Sequence, residues 1–273
     1  MKLSSKEKAR LKNQYGPWAV ITGASSGIGQ ELAHQLASSG LHLVLVARNE
    51  TKLQSLAKTY QAQYGVQCQV VAADLGRSEG IEQVKLQTAD KTVGLLIASA
   101  GYGTSGVFDQ SEIEDEINML RVNCEALMVM THHFAGRFVK QERGGIILLS
   151  SMVAFQGVPY SAHYSATKAY VQSFAEGVAE ELKPYKVDVL AAAPGPVKSG
   201  FEARANMKMS MALTPAQVGV PILKALGRKR TVLPGFLTKF LVYSLRTVPR
   251  WGKVKIMKLV MGGMTEHQRV SQA

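Results

Sequence analysis

The sequence predicts an α/β fold in a single domain: a doubly wound sheet of parallel strands with helices on both faces. Three observations carry this expectation. Short apolar runs alternate with segments whose apolar residues recur at helical spacing. A glycine-rich turn joins the first strand directly to the first long helix. The residues that stand out for chemistry all fall at the carboxyl ends of the strands, where ligands of such sheets bind. The 273 residues suffice for one large domain, and a hydrophobic share of 46% supports a sizeable core.

Residues 1–15 read as a basic, polar arm and Trp18 to Thr22 as the first strand. The turn Gly23-Ala24-Ser25-Ser26-Gly27-Ile28-Gly29 follows, and from Ile28 to Leu36 the apolar residues keep helical spacing up to Gly40. A strand, a glycine turn and a helix together suit a dinucleotide pyrophosphate. Glycines let the backbone approach the phosphates, and the helix N-terminus offers free N–H groups and the positive end of its dipole. The spacing is Gly-x-x-x-Gly-x-Gly, and the alternative is a turn that uses glycine for conformation alone.

Leu41 to Ala47 is the second strand. An acid about 20 residues beyond the glycines commonly holds the adenosine ribose, but here the strand ends in Ala47-Arg48-Asn49. A guanidinium suits a 2′-phosphate, so Arg48 points to NADP(H) ahead of NAD(H), against the alternative of an ordinary surface arginine. Asn49 to Tyr64 is helical in pattern. Gln67 to Ala73 is the third strand, closed by Asp74 and Leu75; the Asp74 carboxylate either accepts from the adenine amino group or caps the next helix. Val93 to Ser99 is the fourth strand, followed by Ala100-Gly101. Glu112 to Gly136 is one long helical pattern with Asn123 inside it, kept for a hydrogen bond or simply exposed.

The fifth strand, with the apolar run Ile146 to Leu149, ends at Ser150 and Ser151. A loop to Pro159 leads to a helix that carries Tyr164 and Lys168 and runs to about Leu182, before Pro184. Residues four apart project from one helix face. Tyrosine ionises near pH ~10, and a cation about 4 Å away at an effective dielectric of ~20 is worth roughly 4 kcal/mol, which lowers that pKa by units. Ser151 and Tyr164 can thus converge on one carbonyl, although a Tyr and a Lys four apart on a helix are also common without chemistry. Val187 to Ala193 is the sixth strand, and Pro194-Gly195-Pro196-Val197-Lys198-Ser199 is placed to close over a cofactor.

The net charge of +12 is unevenly spread: residues 1–12 carry five Lys/Arg against one Glu, residues 224–273 carry eleven against one, and the remaining 211 sum to −2. A nearly neutral body with basic ends is not the footprint of a nucleic-acid-binding core. Cys68 and Cys124 sit in apolar surroundings without metal-ligand spacing and read as reduced thiols of a cytoplasmic protein. Met1 to Lys12 has no apolar core of a signal peptide, and no apolar run reaches ~18 residues.

Taken together, these residues resemble the classical short-chain dehydrogenase/reductase family, with its Rossmann-like sheet, over roughly residues 17–235. The resemblance rests on the Thr22–Gly29 turn, Asp74, Ala100-Gly101, Asn123, Ser151, Tyr164-x-x-x-Lys168 and Pro194-Gly195. It implies that Tyr164 is the general acid/base, that Ser151 polarises the substrate carbonyl, and that Lys168 lowers the tyrosine pKa and holds the nicotinamide ribose. It implies that Asn123 supports a relay water, that Pro194–Val197 and Ser199 contact the nicotinamide, and that the chain forms a homodimer or homotetramer. One departure is Ala98-Ser99-Ala100-Gly101 where the family often has Asn-Asn-Ala-Gly, which removes a side-chain bridge between the central strands and calls for local adjustment.

The expected activity is hydride transfer between NADP(H) and a carbonyl or alcohol; the alternative is a non-catalytic nucleotide sensor or scaffold on the same fold. Phe201, Met207, Met209, Met211 and Leu213, in the region that sets substrate choice in this family, suit an apolar, lipid-like ligand, or core packing. Tyr-Gly-Pro-Trp at 15–18 and Val-Pro-Arg at 248–250 are similar to the branch of ketoacyl and steroid reductases. The catalytic domain is expected to span 16–235, followed by a basic apolar tail, 236–273. The tail's clusters around Phe240 and Leu259, interleaved with cations, either cover the substrate cleft, pack on a second subunit, or lie in an anionic membrane interface.

Overall fold

In the computed structural model, which describes residues 1–208 and 211–270, the chain opens on a helix, α1 (Ser5–Tyr15), and not on an arm. Leu3, Glu7, Leu11 and Tyr15 recur every four residues, so one face of this polar segment can bury. Leu11 and Tyr15 are fully enclosed. Tyr15 Oη donates to Asp188 at 2.7 Å, and Arg10 donates to the carbonyls of Leu223 and Leu226 at 2.8 and 3.0 Å. Buried Glu7 accepts from Arg10 and Arg228. The basic composition concealed this period.

The body alternates as expected: β1 (Trp18–Thr22), α2 (Gly27–Ala37), β2 (His42–Ala47), α3 (Glu50–Tyr64), β3 (Cys68–Ala72), α4 (Ser78–Gln87), β4 (Val93–Ala98). Then come α5 (Ile113–Leu120), α6 (Leu127–Gln141), β5 (Gly144–Leu149), α7 (Ala162–Leu182) and β6 (Val187–Ala192). The chain closes with α8 (Phe201–Arg204), α9 (Pro215–Ala225), β7 (Thr231–Val232), α10 (Phe236–Ser244), α11 (Arg250–Met264) and α12 (Glu266–Val270). Seven parallel strands form one sheet in the order β3-β2-β1-β4-β5-β6-β7. The sequence reading found six of them; β7 is two residues long and has no period to read.

β4 and β5 are buried at every position, as strands covered on both faces must be, which is why they read as continuous apolar runs. One core fills the space between the sheet and α1, α2, α3 and α9 through residues such as Leu11, Leu32, Leu53 and Leu223. The other lies under α4, α6 and α7, with Val84, Phe134, Phe138 and Val171. The chain winds outward from β1 to β3, then crosses to β4 and winds the other way. The strand order therefore reverses between β1 and β4, and the crevice at their carboxyl ends is the switch point.

The central helix departs from the regular pattern expected of it, and the tail takes one of the positions expected of it. The long helix from residue 113 to 141 widens into a π-helical turn at Arg121–Ala126, which carries Asn123; such turns gather at functional sites. The tail helices lie against the body. Val242 of α10 packs on Ala193 and Leu233, and Met257 and Met261 of α11 pack on Val158, Ala205 and Met207. Among the described residues no helix is long and apolar enough to cross a membrane. Both cysteines are free thiols.

Candidate active site

The glycine turn needs its glycines. Gly23 and Gly27 have φ of +67° and +56°, the left-handed region that side chains disfavour. A β-carbon on Gly29 would stand 2.3 Å from the Gly23 carbonyl oxygen. The turn is thus a tight backbone cradle, with Ser25 half-buried, Ser26 exposed and Ile28 packed on the core beneath. Ser26, at the N-cap of α2, makes no side-chain cap bond, so the first-turn N–H groups are left for an anion. The segment after β6 reaches over it: a β-carbon on Gly27 would stand 3.0 Å from Ser199 Cβ, and Val197 pairs with Leu213 to hold that segment in place.

Arg48 is exposed one residue beyond β2, with no ion pair among the described residues. Asp74 follows β3; its Oδ1 accepts from Gly76 N at 3.0 Å, and the N-cap of α4 is Arg77, so Asp74 does not cap that helix. Leu75 is buried with Ala98. Thr22, expected among the cofactor contacts, is buried, and its Oγ1 accepts from Ser99 N and Ala100 N at 3.0 Å each. Its side chain bridges β1 to the end of β4, a tie at the place where the asparagine is missing. The cradle, the open helix terminus and the exposed guanidinium fit a dinucleotide.

At the switch point Asn123, Ser151, Tyr164 and Lys168 come together, all buried. Asn123 Oδ1 accepts from Tyr102 N at 3.1 Å, and Nδ2 donates to Tyr102 O at 2.8 Å and to Thr167 Oγ1 at 3.0 Å. The side chain clamps the turn at Ala100–Tyr102 to α7. A β-carbon on Gly101 would lie 2.8 Å from Asn123 Oδ1 and 3.4 Å from Lys168 Nζ, so only glycine fits between them. Lys168 Nζ donates to Leu149 O at 2.8 Å, and Ser150 Oγ donates to Lys168 O at 3.0 Å, which ties α7 to the end of β5.

The electrostatics differ from the expected lysine-activated phenol. Burial pushes Tyr164 up to about 12, and the adjacent Ser151 hydroxyl only partly offsets it. Burial also pushes Lys168 down to about 8. Lys168 Nζ lies 5.8 Å from the Tyr164 ring centroid and is directed at the Leu149 carbonyl, and desolvation is the largest influence on both groups. At neutral pH Tyr164 holds its proton, the form that can donate to a carbonyl oxygen.

Several residues at the site escaped the sequence reading. Tyr102 packs with Tyr164 and Met119, and its hydroxyl donates to Asp115 O at 2.9 Å. The Phe201 ring, read as part of an apolar loop, covers Tyr164 with centroids 5.3 Å apart. Thr238 of α10 seats against the Pro194-Gly195 turn, where a β-carbon on Gly195 would meet its Oγ1 at 2.6 Å. His163, next to Tyr164, pairs with buried Glu116 at 2.6 Å. Tyr102 adjoins the Ala-Gly pair and was open to suspicion; Thr238 lies in a stretch that reads only as apolar. Met211 is exposed, and Met209 lies outside the described residues. A concavity of about 490 Å³ between Trp18, Gln67 and Lys91 opens at the amino ends of the strands, far from this cluster.

The sheet, the cradle and the cluster define a dinucleotide-binding protein built to move a proton at a carbonyl or hydroxyl oxygen. A family model described as short chain dehydrogenase matches residues 17–210. The chain is 30% identical to a 7beta-hydroxysteroid dehydrogenase of Collinsella aerofaciens over 243 residues, 86% of this chain and 92% of that one. It is 33% identical to the human inactive hydroxysteroid dehydrogenase-like protein 1 over 202 residues, 73% of this chain and 61% of that one. A short-chain dehydrogenase from Sphingobium yanoikuyae solved in complex with NADPH superposes with a TM-score of 0.79 at 30% identity, covering 84% of this chain and 92% of that one. The chain belongs to the short-chain dehydrogenase family and is an oxidoreductase acting on the CH–OH/C=O couple.

Proposed function

We propose that this protein is an NADP(H)-dependent carbonyl reductase or alcohol dehydrogenase whose substrate is bulky and apolar. One observation carries the substrate class: the catalytic phenol is walled by apolar side chains. Val153 and Phe201 pack both on Tyr164 and on the cluster of Val158, Ala205, Met207, Met257 and Met261. The wall therefore continues from the proton donor into the tail helix α11. A polar substrate entering there would lose hydration without replacement partners, whereas flexible methionines conform to an apolar body. The steroid named for the Collinsella relative is consistent with that class.

In this reading Gly23–Gly29, Arg48, Asp74 and the Pro194–Ser199 segment hold the dinucleotide. When bound, its nicotinamide supplies or accepts the hydride. Ser151 and Tyr164 meet the substrate oxygen: Ser151 orients it and Tyr164 gives or takes its proton. Lys168 fixes α7 against β5 and adds positive charge beneath the phenol. Asn123 acts as a positioning residue that holds the turn at Gly101. The human relative named as inactive keeps open the second reading, a nucleotide sensor on this fold. The presence of Ser151, Tyr164 and Lys168 in one buried cluster favours catalysis.

Cofactor choice supplies a direct test. The wild-type protein is expected to show a lower KM for NADPH than for NADH, because the exposed Arg48 guanidinium has no ion pair among the described residues and can take the 2′-phosphate. Arg48→Ala should weaken NADPH by roughly tenfold, the loss of one charge-assisted contact, and leave NADH nearly unchanged. Steady-state KM values for both cofactors measure this. A wild-type preference for NADH rejects the reading of Arg48.

A further inference from the structure

The tail helices solve one problem and leave another. α10 and α11 close the site, yet their outer faces carry large apolar side chains in water. Phe236 is 84% exposed, Leu259 80%, Trp251 66% and Phe240 58%, with Leu237 and Val260 also exposed. These faces belong to helices whose inner sides are already seated. Thr238 and Val242 are buried under α10, and Met257 and Met261 under α11. Both helices ride on the same stretch of chain, Met152–Val158: Met152 and Phe155 pack on the cluster that holds Val242, and Val158 shares a cluster with Met257 and Met261. The exposed residues therefore lie outside the clusters that seat the two helices among the described residues, and singly scattered exposure does not explain so many on two consecutive helices.

The charges around them have one sign. Lys239, Arg246, Arg250, Lys253, Lys255 and Lys258 lie between residues 236 and 265, and no Asp or Glu does. Two of these cations sit over aromatic rings: Arg246 on Tyr243 at 4.7 Å and Lys255 on Trp251 at 5.2 Å. Aromatic rings, exposed apolar groups and cations without acids are what a helix needs to lie in the headgroup layer of an anionic bilayer. A second copy of this chain is a poor occupant, because a twofold contact through this face would set two acid-free cationic surfaces against each other.

We propose that the outer face of α10 and α11 docks on an anionic lipid surface. The apolar side chains enter the acyl boundary and the cations meet the headgroups. The outer face carries other side chains than Met257 and Met261, which line the site, so this proposal stands whatever cofactor the protein prefers.

The test is co-sedimentation of the full-length protein with vesicles of phosphatidylcholine alone or with about one-third phosphatidylserine. Binding is expected only with phosphatidylserine, and should be lost at ~1 M salt, where the Debye length falls to about 3 Å. Lys255→Gln with Lys258→Gln should lower the partition coefficient by roughly tenfold or more. Phe240→Ser with Leu259→Ser should do the same, with melting temperatures near wild type because these side chains are exposed. No sedimentation with anionic vesicles at low salt overturns the proposal, as does equal binding to neutral vesicles or unchanged binding by both variants. Light scattering that shows self-association abolished by Phe240→Ser and Leu259→Ser, without vesicle binding, overturns it in favour of a second copy.

Discussion

Tyr164→Phe is expected to abolish most turnover and to leave the dinucleotide bound. The substitution removes one oxygen and keeps the ring that packs against Tyr102, Met119 and Phe201, so the apolar wall of the site is preserved. In the proposed mechanism the lost group is the proton donor. Held at about 12 by burial, it is protonated at neutral pH, and no other side chain in the cluster combines a dissociable proton with that position: Ser151 is far too weak an acid and Lys168 is directed at the Leu149 carbonyl. General acid–base catalysis contributes about 10²–10⁴-fold, and kcat should fall by that factor. The dissociation constant for NADPH, measured by nucleotide fluorescence, should stay within about threefold of wild type. Near-wild-type kcat in a purified, folded variant contradicts the assignment of the acid.

Gly29→Ala strikes the other half of the site. Its new methyl would stand 2.3 Å from Gly23 O and 2.9 Å from Gly23 C, both backbone atoms that no rotamer can move aside. Either the turn opens or α2 is pushed away from it. Overpacking of this kind costs about 1–3 kcal/mol of stability. The more specific loss is at the phosphates, since the first-turn N–H groups of α2 would no longer converge. Losing one charge-assisted hydrogen bond worth about 1.5–3 kcal/mol weakens the dinucleotide by ~10-fold or more. Denaturant midpoints and NADPH titration separate the two effects. Wild-type affinity in the folded variant would show that the pyrophosphate lies elsewhere.

Much of this architecture was legible in the sequence because parallel strands buried on both faces must be apolar throughout. β4 and β5 announce themselves for that reason, and the glycine turn between β1 and α2 shows as a break in that pattern. Tyr164 and Lys168 were legible as a pair because four residues on a helix is a fixed geometry. What escaped depends on contacts between distant segments. α1 reads as a polar arm until Leu11 and Tyr15 find the core. Thr238 meets Gly195 only when the tail folds back over the site. The π-helical turn at Asn123 is a property of the backbone that no single residue type declares. The sign of the Tyr164 shift was missed for a similar reason: charge proximity can be guessed from spacing, but desolvation is a property of the assembled core.

The most direct measurement supplies the purified protein with NADPH deuterated at the nicotinamide C4 and a panel of bulky, lipophilic ketones, then follows NADPH consumption and the mass of the alcohol formed. The expected result is an alcohol carrying one deuterium, formed one-for-one with oxidised cofactor, fastest with the most apolar ketones and nearly absent with Tyr164→Phe. Firm NADPH binding with no labelled alcohol from any ketone, and no oxidation of the matching alcohols with NADP⁺, contradicts the catalytic reading and leaves a nucleotide sensor.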